Sequence, residues 1–103
     1  MIKRMTVIIK RRGMKREEFA KYWLNVHSKK ARKMPGLRRY IINTVKDAEG
    51  TKPNYDGIVE LWFDDVQAMK RAFSNEEGKA TLADEVNFIG KKIVSVVEEH
   101  III

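Results

Sequence analysis

The third apolar segment of the chain constrains the fold most strongly. It runs from Gly57 to Phe63. Its two alternating sets of side chains are Ile58, Glu60, Trp62 and Val59, Leu61, Phe63. Successive side chains of a strand point to opposite faces of a sheet, so both faces of this strand are largely apolar. A sheet with one face in water alternates apolar with polar residues. The sequence therefore predicts a sheet that is covered on both faces.

Other parts of the chain show strand and helix patterns in a regular order. Runs rich in β-branched residues predict strands at Arg4–Lys10, Arg38–Val45, Gly57–Phe63 and from about Ile93 to the C-terminus. A turn-rich loop is predicted over Asp47–Asp56, between the second strand and the third. The pattern predicts four strands with one helical region on each side of the central pair.

Two helical regions separate these strands. The first, Lys15–Lys33, places Phe19, Trp23 and His27 on one face at the helical period. The second begins with a capping sequence at Asp64, restarts after a second cap at 74–75, and is predicted to stop at Gly90.

The order β-α-β-β-α-β predicts one α+β domain over residues 1–103 with a ferredoxin-like fold. In this fold right-handed crossovers place both helical regions on one face of a four-stranded antiparallel sheet. Two helices cover only that face. Nothing else in the chain is left to cover the second apolar face. We expect a homodimer in which a second copy packs against the open sheet face.

Composition excludes several classes of function. The chain has no cysteine, which excludes disulfides, a thiolate nucleophile and Cys-ligated metal. The absence of cysteine also fits a reducing cytosol, so we expect a cytoplasmic protein. No apolar run approaches the ~20 residues that cross a bilayer, so we expect no membrane partner. Residues 1–39 carry fourteen Lys and Arg against two Glu. That asymmetry is typical of a nucleic-acid surface, or of a basic helix that lies over acidic elements of the protein or its partner subunit.

Several motifs resemble those of EthD-type proteins of the dimeric α+β barrel superfamily. They are Arg12–Phe19 with Tyr22, Trp23 and His27, then Pro35–Tyr40, then Tyr55–Asp64, and finally Asp84, Glu85 and Phe88. The resemblance spans nearly the whole chain. It implies a cavity between helices and sheet, where related isomerases, decarboxylases and cyclases carry out proton transfer without a cofactor. It also places the family's first-helix histidine at His27 and its second-strand tyrosine at Tyr40.

His27 is the first candidate catalytic residue, because imidazole exchanges protons near neutral pH. The alternative is a buried structural histidine that is hydrogen-bonded to a neighbour. Glu60 or Asp84 is expected to orient His27 or to act as an acid or base. The alternatives are an ion pair between Glu60 and a basic residue such as Arg39, and a solvated Asp84.

Tyr40 is the candidate donor to a ligand oxygen. Asn43 is an odd number of positions away on the same strand and is expected to face the other side. Phe19, Trp23 and Trp62 predict an apolar wall for a small hydrophobic ligand, although as ordinary core residues they need no function.

The sequence leaves two functions open for this pocket. One is a cofactor-free acid–base isomerase, cyclase or decarboxylase acting on a hydrophobic carbonyl or aromatic compound. The other is a non-catalytic ligand-binding or accessory protein of a degradation pathway. No metal or cofactor is expected, since His27 and His100 are the only histidines and no phosphate-binding glycine loop occurs.

Two further functions are not expected. RNA-recognition modules share this element order, but they need exposed aromatic residues on the first and third strands, and the first strand here is Val7-Ile8-Ile9. Haem-oxidising members of the superfamily resemble a different pattern, with an asparagine on the first strand, where this chain offers Thr6.

Overall fold

A computed structural model of the protein describes residues 1–48, 50 and 53–103. Within these residues four strands form one antiparallel sheet in the order β2-β3-β1-β4. The strands are β1 (Ile2–Lys10), β2 (Arg39–Thr44), β3 (Gly57–Phe63) and β4 (Ile89–Val97). This confirms the predicted ferredoxin-like sheet. Residues 49, 51 and 52 of the predicted loop over Asp47–Asp56 lie outside the described residues.

The helices occupy the two predicted regions. They are α1 (Arg16–Tyr22), a π-helical turn (Trp23–His27), α2 (Ser28–Ala31), α3 (Val66–Ser74), α4 (Glu76–Asp84) and a 3₁₀ turn (Glu85–Asn87). Both predicted caps are present. The Asp65 carboxylate accepts from the Ala68 N–H at 2.7 Å, and the Asn75 side chain accepts from the Gly78 N–H at 2.9 Å. These bonds satisfy backbone donors that each new helix leaves unpaired.

The prediction that Gly90 ends a helix is wrong. Gly90 lies in β4, where the register with β1 shifts between Ile9 and Lys10, so that Gly90 faces no partner residue. A Cβ at this position would lie 2.7 Å from the carbonyl oxygen of Lys10. Glycine is therefore needed here for a β-bulge, where the backbones approach closely.

The last strand is also shorter than predicted, because β4 ends at Val97 rather than at the C-terminus. Two residues later, Glu99 accepts a hydrogen bond from Lys3 Nζ at 2.9 Å. His100 therefore lies in the C-terminal tail and not on a strand.

The two faces of the sheet differ in what covers them. The covered face carries Arg4, Thr6, Ile8, Tyr40, Ile42, Val59, Leu61 and Phe63. Its apolar members form one core with buried helix and loop residues such as Phe19, Trp23, Ala72 and Phe88. The open face carries Lys3, Met5, Val7, Ile9, Ile41, Asn43, Ile58, Glu60, Trp62 and Ile93. None of these open-face residues belongs to that core.

None of the described helices combines the length and the apolar character that spanning a bilayer requires.

Candidate active site

The first helix brings His27 to the covered face through a local irregularity. Trp23–His27 form a π-helical turn, and Trp23 and His27 at its two ends are both buried. Such turns occur often at functional sites, because the extra residue re-aims the side chains that follow. The packing of Trp23 depends on Gly57, since a Cβ at Gly57 would overlap the Trp23 ring. The glycine of the Tyr55-Asp56-Gly57 motif thus makes room for the wall of the site.

His27 is paired with Asp84, one of its two predicted partners. His27 Nδ1 lies 2.9 Å from Asp84 Oδ2, and both side chains are buried. The Asp84 carboxylate also accepts from the Tyr22 hydroxyl at 2.6 Å and from Asn87 Nδ2 at 3.0 Å. Three donors therefore converge on one carboxylate from α1, the π-helical turn and the 3₁₀ turn.

The protonation state of this pair follows from those donors. Burial alone would raise the pKa of the Asp84 carboxyl, but the hydrogen bonds from Tyr22, His27 and Asn87 outweigh burial and hold the pKa below its ordinary value. Asp84 is therefore ionised at neutral pH and acts only as an acceptor. In the neutral imidazole the proton must then lie on Nδ1, and Nε2 carries the lone pair. Nε2 makes no hydrogen bond with any described residue.

A cavity of about 30 Å³ lies between the covered face and the helices. Its lining includes Arg4, Thr6, Trp23, His27 and Tyr40. This volume holds only two or three water molecules, on the basis of about 10–15 Å³ for each. The hydroxyls of Thr6 and Tyr40 are both buried, and neither has a hydrogen-bond partner among the described residues. The cavity therefore holds two hydroxyl groups with unused hydrogen-bonding capacity beside the histidine.

Tyr40 is placed to donate a hydrogen bond. Burial raises the pKa of Tyr40 to about 12, and the nearby indole N–H of Trp23 offsets this only slightly. The two groups do not meet in a hydrogen bond. Tyr40 is consequently a neutral donor at physiological pH. It also lines a shallow groove of about 480 Å³ together with Leu24, Ser28, Arg32 and Ile42. Tyr40 thus stands between the small cavity and the surface.

Glu60 and Trp62 lie on the open face, away from His27. Glu60 accepts from Lys3 Nζ and from Asn43 Nδ2, each at 3.0 Å. The hydrogen bond from Asn43 lowers the pKa of Glu60, burial opposes this shift, and Lys3 adds to it. The expectation that Glu60 orients His27 is wrong. The alternative of an ion pair is right in kind, but the partner is Lys3 rather than Arg39.

The predicted wall of three aromatic residues is divided by the sheet. Trp23 lines the cavity, whereas Phe19 packs behind it against Trp23 and Phe88, with ring centroids 5.3 and 5.7 Å apart. Trp62 is on the opposite face, where Lys3 and Arg39 each lie 5.0 Å from the ring. The expectation that Trp62 forms a wall with Trp23 is therefore wrong. The sheet has two apolar faces, and the alternation on β3 cannot show which of them the helices cover.

Sequence reasoning missed Arg4 and Thr6, the two polar residues that β1 contributes to the cavity. Their signal was the two-residue period: both share a face with Ile8, on a strand that is otherwise largely apolar. The role of Asp56 in the same loop motif as Gly57 is structural. It accepts from the Lys10 N–H at 2.8 Å and from Arg16 Nε at 3.0 Å, which ties β1 to the start of α1.

The part of the chain that the structure describes contains no cluster of three His, Cys, Asp or Glu side chains that could hold a metal ion.

Comparison with solved structures places this geometry among known folds. An EthD family protein from Bacillus halodurans superposes with a TM-score of 0.82 at 24% identity, covering 97% of this chain and 100% of that chain. A dimeric ferredoxin-like protein of unknown function from Thermobifida fusca gives a TM-score of 0.73 at 16% identity, covering 93% and 88%. SnoaB, a cofactor-independent oxygenase from Streptomyces nogalater, gives 0.70 at 10% identity, covering 95% and 91%.

No protein with a curated description matches the sequence. The family model of the EthD domain matches residues 11–92. This span includes α1, the π-helical turn, and the residues of the His27–Asp84 pair. The chain therefore belongs to the EthD domain family.

Proposed function

We propose that this EthD domain binds a small hydrophobic carbonyl or aromatic compound at the His27 cavity and moves a proton on it without a cofactor. The reaction class is isomerisation, cyclisation or decarboxylation. The observation that carries the proposal is the combination of an oriented imidazole with an unpaired hydroxyl in one cavity. His27 is held by Asp84, and the Tyr40 hydroxyl has no partner in the described structure.

The proton transfer uses two groups of this chain. His27 Nε2 accepts a proton from a carbon beside the ligand carbonyl, and the electron pair of that C–H bond moves onto the carbonyl oxygen. Tyr40 donates a hydrogen bond to the oxygen as its negative charge develops. His27 then returns the proton to a different carbon. Asp84 is a positioning residue that stabilises the imidazolium formed between the two transfers.

Ligand binding requires the site to open. The 30 Å³ cavity admits only water, whereas the adjoining groove of about 480 Å³ falls in the size range of small-molecule pockets. Because Tyr40 lines both, rotation of its side chain is the simplest way to join them. A ligand would then enter past Leu24 and Tyr40 and reach His27.

We also propose that the protein is a homodimer through its open face. That face exposes part of Met5, Val7, Ile9, Ile41, Ile58 and Ile93. Two of the structures with the same fold, from Thermobifida fusca and Bacteroides fragilis, are described as dimeric. A second sheet packed on these side chains would remove them from water, as the two apolar faces of the strands require.

The proposal is tested by hydrogen exchange at carbon. In D₂O, an acid–base catalyst of this kind exchanges the protons beside a ligand carbonyl even when the complete reaction is unknown. A panel of aromatic ketones, β-keto esters and unsaturated lactones is incubated with the protein, and deuterium incorporation is followed by NMR. We expect faster exchange than in buffer for at least one member, and a loss of about a hundredfold or more in His27→Gln.

Glutamine keeps a polar side chain of similar length at position 27, and circular dichroism checks that the variant folds. Exchange equal to buffer across the panel contradicts catalysis. If a compound nevertheless binds to the protein and loses affinity in His27→Gln, the domain is the ligand-binding protein that the sequence left as the alternative. Equal exchange in the wild type and in His27→Gln would show that His27 is not the group that carries the proton.

A further inference from the structure

Arg4 is the one basic side chain of the cavity whose charge is not matched by a partner within the described structure. It lies on the covered face of β1 and lines the cavity with His27 and Tyr40. Its guanidinium carbon sits 4.3 Å from the centroid of the Phe73 ring, in cation–π geometry. Among residues 1–48, 50 and 53–103 it forms no hydrogen bond or ion pair.

The acidic residue of the same cavity is already neutralised. Glu85 lines the cavity, but its carboxylate accepts from Lys92 Nζ at 2.6 Å. The second acidic group nearby, Asp84, is taken up by His27, Tyr22 and Asn87. Burial lowers the pKa of Arg4, and Glu85 partly offsets this. Arginine nevertheless keeps its proton in proteins, so the cavity retains one partly desolvated positive charge.

The sheet register sets Arg4 at a defined distance from the proposed chemistry. Arg4 pairs with Leu61 of β3, and Leu61 pairs with Tyr40 of β2. Arg4 and Tyr40 are thus in one row on the covered face, two strand spacings or about 10 Å apart at the backbone. Thr6 is the next residue of β1 on this face, and its buried hydroxyl also has no partner in the part of the chain that the structure describes. The cation and the two hydroxyls therefore surround one space.

We propose that the ligand of this site is an organic acid whose carboxylate binds Arg4 while its carbonyl or phenolic portion reaches Tyr40 and His27. This inference rests on the proposed function and specifies its substrate class. A guanidinium offers a planar pair of N–H donors that fits a carboxylate, and the Thr6 hydroxyl supplies a further donor. The spacing of the row suits a compact ring acid such as a substituted benzoate rather than a long-chain acid.

The two tryptophans provide a site reporter and an internal control. Trp23 lines the cavity, and Trp62 lies on the opposite face of the sheet. Their indole N–H signals are followed in ¹⁵N-labelled protein during titration with 2,4-dihydroxybenzoate and, separately, with its methyl ester. The acid is expected to shift the Trp23 signal without shifting that of Trp62, and to bind about tenfold tighter than the ester.

Substitutions assign that preference to one side chain. Arg4→Met keeps an apolar stem over Phe73 and is expected to bind acid and ester equally. Arg4→Lys keeps the charge and is expected to restore part of the preference, which also covers the case in which Arg4→Met does not fold. Arg38→Met is the matched control, because Arg38 is exposed and ion-paired with Asp64. It removes the same overall charge and should bind as wild type does.

The inference is overturned by any of three results: no Trp23 shift with millimolar acid, equal affinity of the wild type for acid and ester, or unchanged acid preference in both Arg4 variants. Its failure is distinct from failure of the proposed chemistry. His27→Gln is expected to keep the preference for the acid while losing carbon exchange. Acid binding without exchange contradicts only the proton transfer, and exchange on neutral ketones without acid preference contradicts only the role of Arg4.

Discussion

The two faces of the sheet differ in whether their polar side chains are paired. On the open face, Lys3, Asn43, Glu60 and Glu99 form one connected network of hydrogen bonds and ion pairs. On the covered face, Arg4 and the hydroxyls of Thr6 and Tyr40 have no such partners in the described residues, although both hydroxyls are buried.

The paired groups of the open face stabilise the fold, whereas the unpaired groups of the covered face are those that we propose bind a ligand. Buried polar groups in folded proteins are nearly always hydrogen-bonded, so unpaired ones that cluster in a cavity need an explanation. His27 combines both properties, since its Nδ1 is paired with Asp84 whereas its Nε2 has no partner among the described residues. The contrast predicts that removing an unpaired hydroxyl from the covered face and removing a paired polar group from the open face will have opposite effects on stability.

The largest effect is expected from a charge in the middle of the open face. Val7→Asp should dissociate the proposed homodimer, because burying an unpaired carboxylate between two sheets costs several kcal/mol, about 4 as an order of magnitude. Light scattering coupled to size exclusion measures the mass. The matched control is Val86→Asp, since Val86 is 70% exposed outside the sheet. A wild type that is monomeric at micromolar concentration, or a Val7→Asp dimer, would contradict the proposed covering of this face.

Removal of the Asp84 carboxylate is expected to have the next largest effect. Asp84→Ala leaves Tyr22, His27 and Asn87 without their shared acceptor, which should lower the free energy of unfolding by about 3 kcal/mol. Glu60→Ala, which removes one member of the hydrogen-bond network on the open face, should lower the free energy of unfolding by clearly less. Urea denaturation of both variants gives the comparison. A Glu60 variant that is the less stable of the two would contradict the larger stabilising role that we assign to Asp84.

The stability of the Asp84 pair also depends on pH. Because the folded-state pKa of Asp84 is depressed, its contribution is fully present above the unfolded-state pKa and is lost as the pH falls through the folded-state value. The difference in stability between the wild type and Asp84→Asn should therefore shrink as the pH is lowered. Asp84→Asn is the less stable protein at neutral pH, so its acid unfolding should begin at a higher pH. A constant difference would contradict the depressed pKa.

Tyr40 is expected to make the protein sensitive to alkali. Its pKa of about 12 in the folded protein exceeds the ordinary value of 10.0. Ionisation of Tyr40 therefore has no effect on stability below about pH 10 and lowers the free energy of unfolding as the pH rises toward 12, by about 3 kcal/mol at the limit. Thermal unfolding of wild type and Tyr40→Phe across this range isolates Tyr40 from the other tyrosines. Parallel curves for the two proteins would show that Tyr40 is not buried as described.

The smallest effect has the opposite sign. At neutral pH, Tyr40→Phe and Thr6→Val remove buried hydroxyls that have no partner among the described residues, and each should stabilise the protein by up to about 1 kcal/mol. The same measurement on Asn43→Ala should show destabilisation, since Asn43 Nδ2 donates to Glu60 and to the Ile58 carbonyl. Loss of stability in both hydroxyl variants would mean that these groups are satisfied within the fold.

The fold was predictable because it depends on patterns that are local in sequence. The bounds of β3 were predicted as observed, and the caps at 64–65 and 74–75 marked the starts of α3 and α4. Gly90 was misread because glycine serves equally at a helix stop and at a β-bulge, and only the approach of the Lys10 carbonyl distinguishes them.

The candidate site was only half predictable, for a related reason. Alternation on β3 correctly grouped Glu60 with Trp62, but two apolar faces gave no sign of which one the helices cover. The pairing of His27 with Asp84 was among the expected outcomes, because the helical period placed His27 on the same face as the core residues Phe19 and Trp23. The two-residue period groups Arg4 with Thr6 and Ile8. The register between β1, β3 and β2 places Arg4 in the same row as Tyr40, and no local pattern specifies that register.

The tautomer of His27 tests the central claim most directly. The claim is that Asp84 holds the imidazole with its proton on Nδ1 and leaves Nε2 as the base of the cavity. ¹⁵N spectra of histidine-labelled protein distinguish His27 from His100 by comparison with His100→Gln. In the neutral ring, we expect a protonated Nδ1 and an unprotonated Nε2. A proton on Nε2 would make that nitrogen a donor, and the proposed proton transfer by His27 would be wrong.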